Sequence, residues 1–276
     1  MKRMNRNVLL AGVALTSLFL MTPRVAGQTG VYVLNPAGTG EFSGTVDVVT
    51  SNLNVNGTFN PHGNADVVAV TANVGTITNA SNFTGTLNLG VTDTADPLAS
   101  LPTPVWDPAI DNGEVFLSGG TARLSPGFYS GGISLTSSAS VWLDPGLYIL
   151  DGFGLEMAGQ SSLRGVNVTL FITGTGVVNM TGGGVVDLGP SVGGVYKDIL
   201  LFVDRASGGD VDLSGGGEFK TNGKLYAPAS TVDISGTAGT QGDPRFGWLL
   251  VAKDLRLGGT GTISFLRVPG GEGAFD

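Results

Sequence analysis

A short phrase that recurs along the chain is the feature that most limits how this sequence can fold. The phrase consists of an apolar residue, any residue, a second apolar residue and then small residues that often include Gly-Gly. Successive copies begin 18, 22, 23, 33, 21 and 23 residues apart. The seven copies begin at Val115, Ile133, Leu155, Val178, Val211, Val232 and Leu255. Self-similarity with a period of this length indicates an array of stacked structural repeats.

A second apolar phrase follows most copies of the first. Because the spacing typical of a helix is nowhere sustained, we expect two or three short strands in each repeat. Alternation along a strand places Val211 and Leu213 inside and Asp212 outside, and Gly-Gly permits a tight corner. We therefore predict an all-β fold, a right-handed parallel β-helix or solenoid with coils of about 21–23 residues. The one long interval predicts an inserted loop near Gly189–Lys197. A β-sandwich or jelly roll is the alternative.

The chain divides into five predicted segments. They are a signal peptide (1–27), an irregular N-terminal β region (28–91), a Pro-rich connector (92–112), the β-solenoid (113–268) and a tail (269–276). The first segment combines basic residues, a short apolar run and the small-residue motif Val25-Ala-Gly27, as secretory signals do. An uncleaved membrane anchor is the alternative. We expect a secreted protein, extracellular or on the cell surface, with the periplasm as the alternative location.

The composition excludes several classes of function. The chain has no cysteine and one histidine, His62, so a disulfide framework and a site that needs two imidazoles are both excluded. Removal of residues 1–27 takes away four of the 14 basic residues and none of the 22 acidic ones, which leaves a net charge of −12. Such a charge repels phosphate backbones and anionic lipids, so we expect no nucleic-acid partner. No apolar stretch after residue 27 is long enough for a transmembrane helix, so we expect no membrane insertion after signal cleavage.

Six further phrases carry a family resemblance. They are Asp96-Pro-Leu-Ala-Ser-Leu-Pro102, Pro126-Gly-Phe-Tyr-Ser-Gly-Gly-Ile133, Leu143–Gly152, Val166–Ile172, Ile199–Arg205 and Gly223–Pro228. Across about residues 45–265 the chain resembles the C-terminal β-rich region of TadG-like proteins from bacterial tight-adherence (Tad/Flp) pilus systems. In departure from full-length members, we expect neither the pilin-like helix nor the von Willebrand A-like domain in this sequence. The resemblance implies a structural protein of the cell envelope, without catalytic residues to transfer.

The residues offer little for catalysis or metal binding. Polysaccharide-cleaving β-helix enzymes resemble one another in an Asp-Asp pair and a Gly-His-Gly segment, whereas here His62 lies between Pro61 and Gly63 and no Asp-Asp occurs. Asp212 and Asp233 hold the same position in consecutive copies of the phrase, which would place them about 4.8 Å apart. They are weak candidates for a Ca²⁺ site, and solvated surface acids are the alternative. We predict no catalytic residue and no cofactor.

A stripe of large apolar residues is a stronger candidate for an interaction site. If the second strand of each coil alternates as the first does, its outer side carries Tyr148, Phe171, Phe202, Tyr226 and Leu249. A contiguous apolar surface of this size needs a cover. One interpretation is that the chain covers the stripe itself, with the connector 92–112 and Trp106. The other is a docking face for an envelope or pilus protein, or for a second copy.

Three functions follow from these observations. The leading hypothesis is a secreted, non-catalytic structural or interaction module of the bacterial envelope, pilus-associated or adhesive. The first alternative is an ice-binding solenoid, suggested by Thr76, Thr78, Thr84 and Thr86. The second is an enzyme that acts on acidic polysaccharides.

Overall fold

The structure, a computed structural model, describes residues 29–236 and 247–266. These residues form 21 strands and one short 3₁₀ turn at Ala80–Asn82. The predicted signal peptide and the predicted tail lie outside the described residues. The first strands are β1 (Gly30–Val33), β2 (Thr39–Phe42), β3 (Thr45–Pro61), β4 (Asp66–Ile77) and β5 (Phe83–Leu89). They are followed by β6 (Glu114–Ser118), β7 (Thr121–Leu124), β8 (Gly127–Tyr129), β9 (Gly132–Thr136), β10 (Ser140–Leu143), β11 (Gly146–Leu150), β12 (Gly154–Met157) and β13 (Ser162–Ile172). The last are β14 (Val177–Met180), β15 (Val185–Pro190), β16 (Ile199–Val203), β17 (Val211–Leu213), β18 (Glu218–Thr221), β19 (Lys224–Ile234), β20 (Leu249–Leu257) and β21 (Thr260–Phe265).

Parallel pairing joins these strands into a β-solenoid of about 10 turns that are spaced about 22 residues apart, which confirms the predicted fold class. Three ladders of parallel strands run along the stack. Face 1 contains β6, β9, β12, β14, β17, the C-terminal parts of β19 and β20, β2, and the ends of β3 and β4. Face 2 contains β7, β10, the start of β13, β15, β18, β21, and the starts of β3, β4 and β5. Face 3 contains β8, β11, the end of β13, β16, the N-terminal parts of β19 and β20, β1, the middle of β3 and of β4, and the end of β5.

The order of the rungs in the stack differs from their order in the chain. β20, near the C-terminus, pairs with both β1 and β2, and β21 pairs with the start of β3. The described residues therefore begin and end in the interior of the stack. We name the interface of β20 and β21 with β1, β2 and the start of β3 the seam. Phe265 lies opposite Thr50 at the seam, and the side-chain amide of Asn52 donates to the Thr29 carbonyl oxygen at 3.1 Å.

The prediction of an irregular N-terminal region is wrong, because residues 30–89 form regular coils of the same solenoid. Their inward residues have the same alternation as the later coils, as Val46 and Val48 of β3 show. The repeated phrase is missing from these coils, so the sequence did not indicate that they continue the same stack.

The core lies inside the coils and consists of stacked columns of apolar side chains. Val211 and Leu213 are buried, and Asp212 between them is not, as alternation predicts. One such column continues through every rung of face 1. From one end of the stack to the other it contains Val115, Ile133, Leu155, Val178, Val211, Val232, Leu255, Gly40, Phe59 and Ile77.

Glycines form a column of their own at the corner between faces 1 and 2. Its members, all with positive φ, are Gly159, Gly182, Gly215, Gly236, Gly259, Gly44 and Gly63. At Gly182, with φ of 98°, a Cβ atom would lie 2.6 Å from the carbonyl oxygen of Gly159 in the adjacent rung. The glycine at the fifth position of the phrase is thus required both by the backbone conformation and by the distance between rungs.

Two alanine substitutions should separate these requirements. Gly119, in the first rung, also has φ of 98°, but its nearest Cβ neighbour would be Ser138 Oγ at 3.7 Å. We expect Gly182→Ala to lower the free energy of unfolding by at least about 2 kcal/mol more than Gly119→Ala, because only Gly182→Ala pushes two rungs apart. Urea denaturation followed by circular dichroism measures this difference. Equal losses in the two variants would show that the spacing of the corners does not restrict this position.

Candidate functional site

The outer side of face 3 carries a buried ladder of large apolar residues, which we name the outer ladder. Its register is continuous from strand to strand, and Phe171, Phe202 and Tyr226 are completely buried. The members are Phe128, Ile149, Phe171, Phe202, Tyr226 and Val251. Phe171 and Phe202 pack edge to face with ring centroids 5.0 Å apart, and Phe202 and Tyr226 have the same separation. An aromatic surface of this extent is therefore part of the protein interior, although it lies outside the coils.

The predicted stripe was partly wrong. Phe171, Phe202 and Tyr226 lie on the outer ladder, and Leu249 packs against the same cluster two residues before Val251. Tyr148 instead points into the coil, where its hydroxyl donates to the carbonyl oxygens of Leu124 and Asp144 at 2.7 and 2.9 Å. Its neighbour Ile149 occupies the outer position.

The connector covers the outer ladder, as the first interpretation of the stripe predicted. Residues 92–112, which we name the strap, run along face 3 from one end of the stack towards the other. Leu98, Leu101 and Trp106 pack against the ladder. The Trp106 ring lies 5.7 Å from that of Phe128 and 6.1 Å from that of Phe171. This part of the chain is therefore structural cover and leaves the centre of the ladder closed to a partner.

Both ends of the strap are fixed by hydrogen bonds. Near its start, Asn56 accepts from the amide of Thr94 at 2.8 Å and donates to the Thr94 carbonyl oxygen at 3.1 Å. Near its end, Asp111 pairs with Phe128 as an isolated parallel bridge, and the Asp111 carboxylate accepts from the Ser130 amide at 3.0 Å. The hydrogen bonds to the Asp111 carboxylate lower its pKa.

Arg205, which follows β16, binds the middle of the strap, and we name its contacts with the strap and Tyr226 the latch. Its Nη2 donates to the carbonyl oxygens of Leu98 and Leu101 at 2.9 and 3.0 Å, and its Nε donates to the Tyr226 hydroxyl at 2.8 Å. The guanidinium also lies over the Phe202 and Tyr226 rings, 5.2 and 4.9 Å from their centroids. A planar cation can satisfy carbonyl groups and stack on aromatic rings at the same time, which an ammonium group does less well.

Tyr226 completes the latch by donating its hydroxyl hydrogen to the Asp96 carboxylate at 2.6 Å. Burial, followed by the contact with Asp96, raises the pKa of Tyr226 well above its usual range, and Arg205 offsets this only in part. The hydroxyl therefore stays protonated and keeps donating. The phrases that contain Asp96 and Arg205 were visible in the sequence, but nothing there indicated that they meet.

The Tyr226→Phe variant tests the latch. It keeps the ring on the ladder but removes the donor to Asp96 Oδ2 and the acceptor of Arg205 Nε, so we expect a loss of about 1 to 3 kcal/mol in unfolding free energy. Cleavage within 92–112 by chymotrypsin should also become faster. The matched control is Tyr32→Phe, because Tyr32 follows Val251 in the same column and its hydroxyl forms no hydrogen bond with any described residue. Similar behaviour of the two variants would contradict the latch.

A second, polar column lies on the outer side of face 1 and contains the candidate calcium ligands. The seven middle residues of the repeated phrase align as predicted, and the column continues across the seam. Its members are Phe116, Ser134, Glu156, Asn179, Asp212, Asp233, Arg256, Glu41 and Asn60. His62 lies 3.7 Å from Glu41, on the next outward position after Asn60.

Asp212 and Asp233 are direct neighbours in this column. Among the residues that the structure describes, no group of three His, Cys, Asp or Glu side chains is arranged to hold a metal ion. Burial and the neighbouring Asp212 raise the pKa of Asp233, while Arg256 on the other side lowers it. Burial and the charge of Asp212 thus disfavour the ionised state of Asp233.

This shift predicts a pH-dependent stability. An acid whose pKa is higher in the folded state than in the unfolded state makes folding less favourable as the pH rises above the unfolded value. Asp233→Asn should therefore raise the melting temperature at pH 7 by on the order of 1 °C, and the gain should vanish below about pH 4. Melting curves between pH 3 and pH 7 measure this, with Asp66→Asn on an exposed position as the control. A gain that persists unchanged at low pH would contradict the assignment.

The four threonines that suggested ice binding do not form one array. Thr76 stacks on Thr58 of face 1, Thr84 on Val68 of face 2, and Thr86 on Thr71. Thr78 follows Thr76 on face 1 and donates its hydroxyl to Asn60.

Comparisons with known proteins do not identify a family. The chain matches no protein-family model, no curated protein and no solved structure. The likeness to TadG-like proteins therefore stays a prediction. Within the described ranges, no helix has the length and apolar character that crossing a membrane requires.

Proposed function

We propose that the protein is a non-catalytic structural module of the bacterial cell envelope, pilus-associated or adhesive, that acts as a stiff spacer. The observation that carries this proposal is the strap, which binds rungs along most of one face to each other. About ten rungs at a spacing of about 4.8 Å give a rod of roughly 50 Å. A rod of this kind sets the distance between the molecules that are attached to its two ends.

The strap supports a mechanical role because it opposes the separation of neighbouring rungs. Each rung contacts only its two neighbours, so a bare stack can open at any interface between rungs. Asn56, Arg205 and Ser130 hold the strap at three well-separated rungs. Separation of two rungs between these points would also require the strap to leave the outer ladder.

The long loop between β15 and β16 offers a position for a label that leaves the rungs intact. Val192 and Val195 are among the most exposed apolar residues of the described chain, and a Cβ at Gly193 or Gly194 would meet no atom within 4 Å. The predicted inserted loop thus corresponds to residues 191–198, which form no strand.

A peptide epitope inserted between Gly193 and Gly194 tests the proposed location. We expect antibody to label intact cells of the native host, and immunogold electron microscopy to place the label on the envelope or on pili. The control is the same epitope on a protein of the cytoplasm, which should be labelled only after lysis. Labelling that requires lysis, or a tagged protein that fractionates without any envelope material, would overturn the proposed function.

A further inference from the structure

Both ends of the solenoid expose the apolar interior. At one end, which we name the lower end, the inward residues Val115, Leu117, Ala122 and Leu124 of β6 and β7 are only partly buried. At the other, the upper end, Leu89 is 60% exposed, although the residues below it in its column, Val74 and Val55, are completely buried. The partly buried residues that complete the upper end are Ile77, Phe83 and Leu87.

The strands at both ends also have one unpaired edge. Among the described residues, β6 pairs only with β9 and β7 only with β10, while β5 pairs only with β4. Natural proteins usually protect such edges with charges, prolines or a covering segment. Residues 71–92, which include β5, contain no Asp, Glu, Lys, Arg or Pro. The upper edge therefore lacks the usual protection against pairing with another chain.

The two ends are complementary to each other. All strands of the stack pair in parallel, so only a strand that runs in the same direction can extend β4 or β5 without a change of pattern. The lower end of a second copy provides such strands. The inner column of face 1 begins with Val115 and ends with Ile77, so Val115 of a second copy would continue that same column.

We propose that copies of this protein associate head to tail, with β6 and β7 of one copy stacked on the upper end of the next. A contact between two different surfaces of identical molecules is heterologous, and when it does not close into a ring it yields a filament. This inference uses only the folded chain and does not depend on the cellular location proposed above.

Two lysine variants, each of which blocks one end, test the proposal. Leu89→Lys places a charge on the upper end and Leu117→Lys on the lower end, and Val192→Lys, on the exposed loop, is the matched control. In sedimentation velocity runs on the full chain, we expect the wild type and Val192→Lys to form species larger than dimers that increase with concentration. Leu89→Lys and Leu117→Lys should each remain monomeric.

The decisive sample is an equimolar mixture of the two blocked variants. Each retains one intact end, so the mixture should form dimers and nothing larger, with up to a twofold rise in the weight-average mass. Formation of dimers also shows that both variants are folded. A wild type that is monomeric at its highest soluble concentration would overturn the proposal, as would a mixture that stays monomeric or a single variant that dimerises through like ends.

Discussion

Hydrogen bonding between parallel strands of consecutive rungs is the constraint on which the rest of this structure depends. It fixes the spacing of the rungs at about 4.8 Å, and every side chain must therefore fit between its counterparts above and below. Apolar residues satisfy this requirement inside the coil, as the column from Val115 to Ile77 shows. At the corner between faces 1 and 2 the spacing leaves no room for a side chain, and glycine occupies that position in seven stacked rungs.

The same spacing explains why the chain needs a strap. On face 3, residues on both sides of the strands are apolar, so the outer ladder stacks as regularly as the inner columns do. A second layer must cover it, and the strap supplies one from a Pro-rich segment that cannot donate a full ladder of strand hydrogen bonds. Arg205 and Tyr226 compensate for this by satisfying strap carbonyls and the Asp96 carboxylate directly.

The repeat allowed the fold class, the alignment of the phrase and the outward position of Asp212 and Asp233 to be predicted. Alternation failed at Tyr148, because Leu147-Tyr-Ile-Leu150 is apolar throughout and both sides of this strand face buried layers. Periodicity alone cannot distinguish the two sides of such a strand. The order of the rungs and the latch could not be predicted either, because they depend on contacts such as that between Asp96 and Tyr226, which are 130 positions apart.

The seam has a consequence for how the molecule forms. Asn35 and Asp254 are hydrogen-bonded across it although they are 219 positions apart in the chain. The coils that contain β1, β2 and the start of β3 thus remain without one of their neighbours until β20 and β21 have been synthesised. Closing so large a loop is entropically costly and slow. The completed stack is therefore a late product of synthesis, and the earliest coils spend that interval with an open edge.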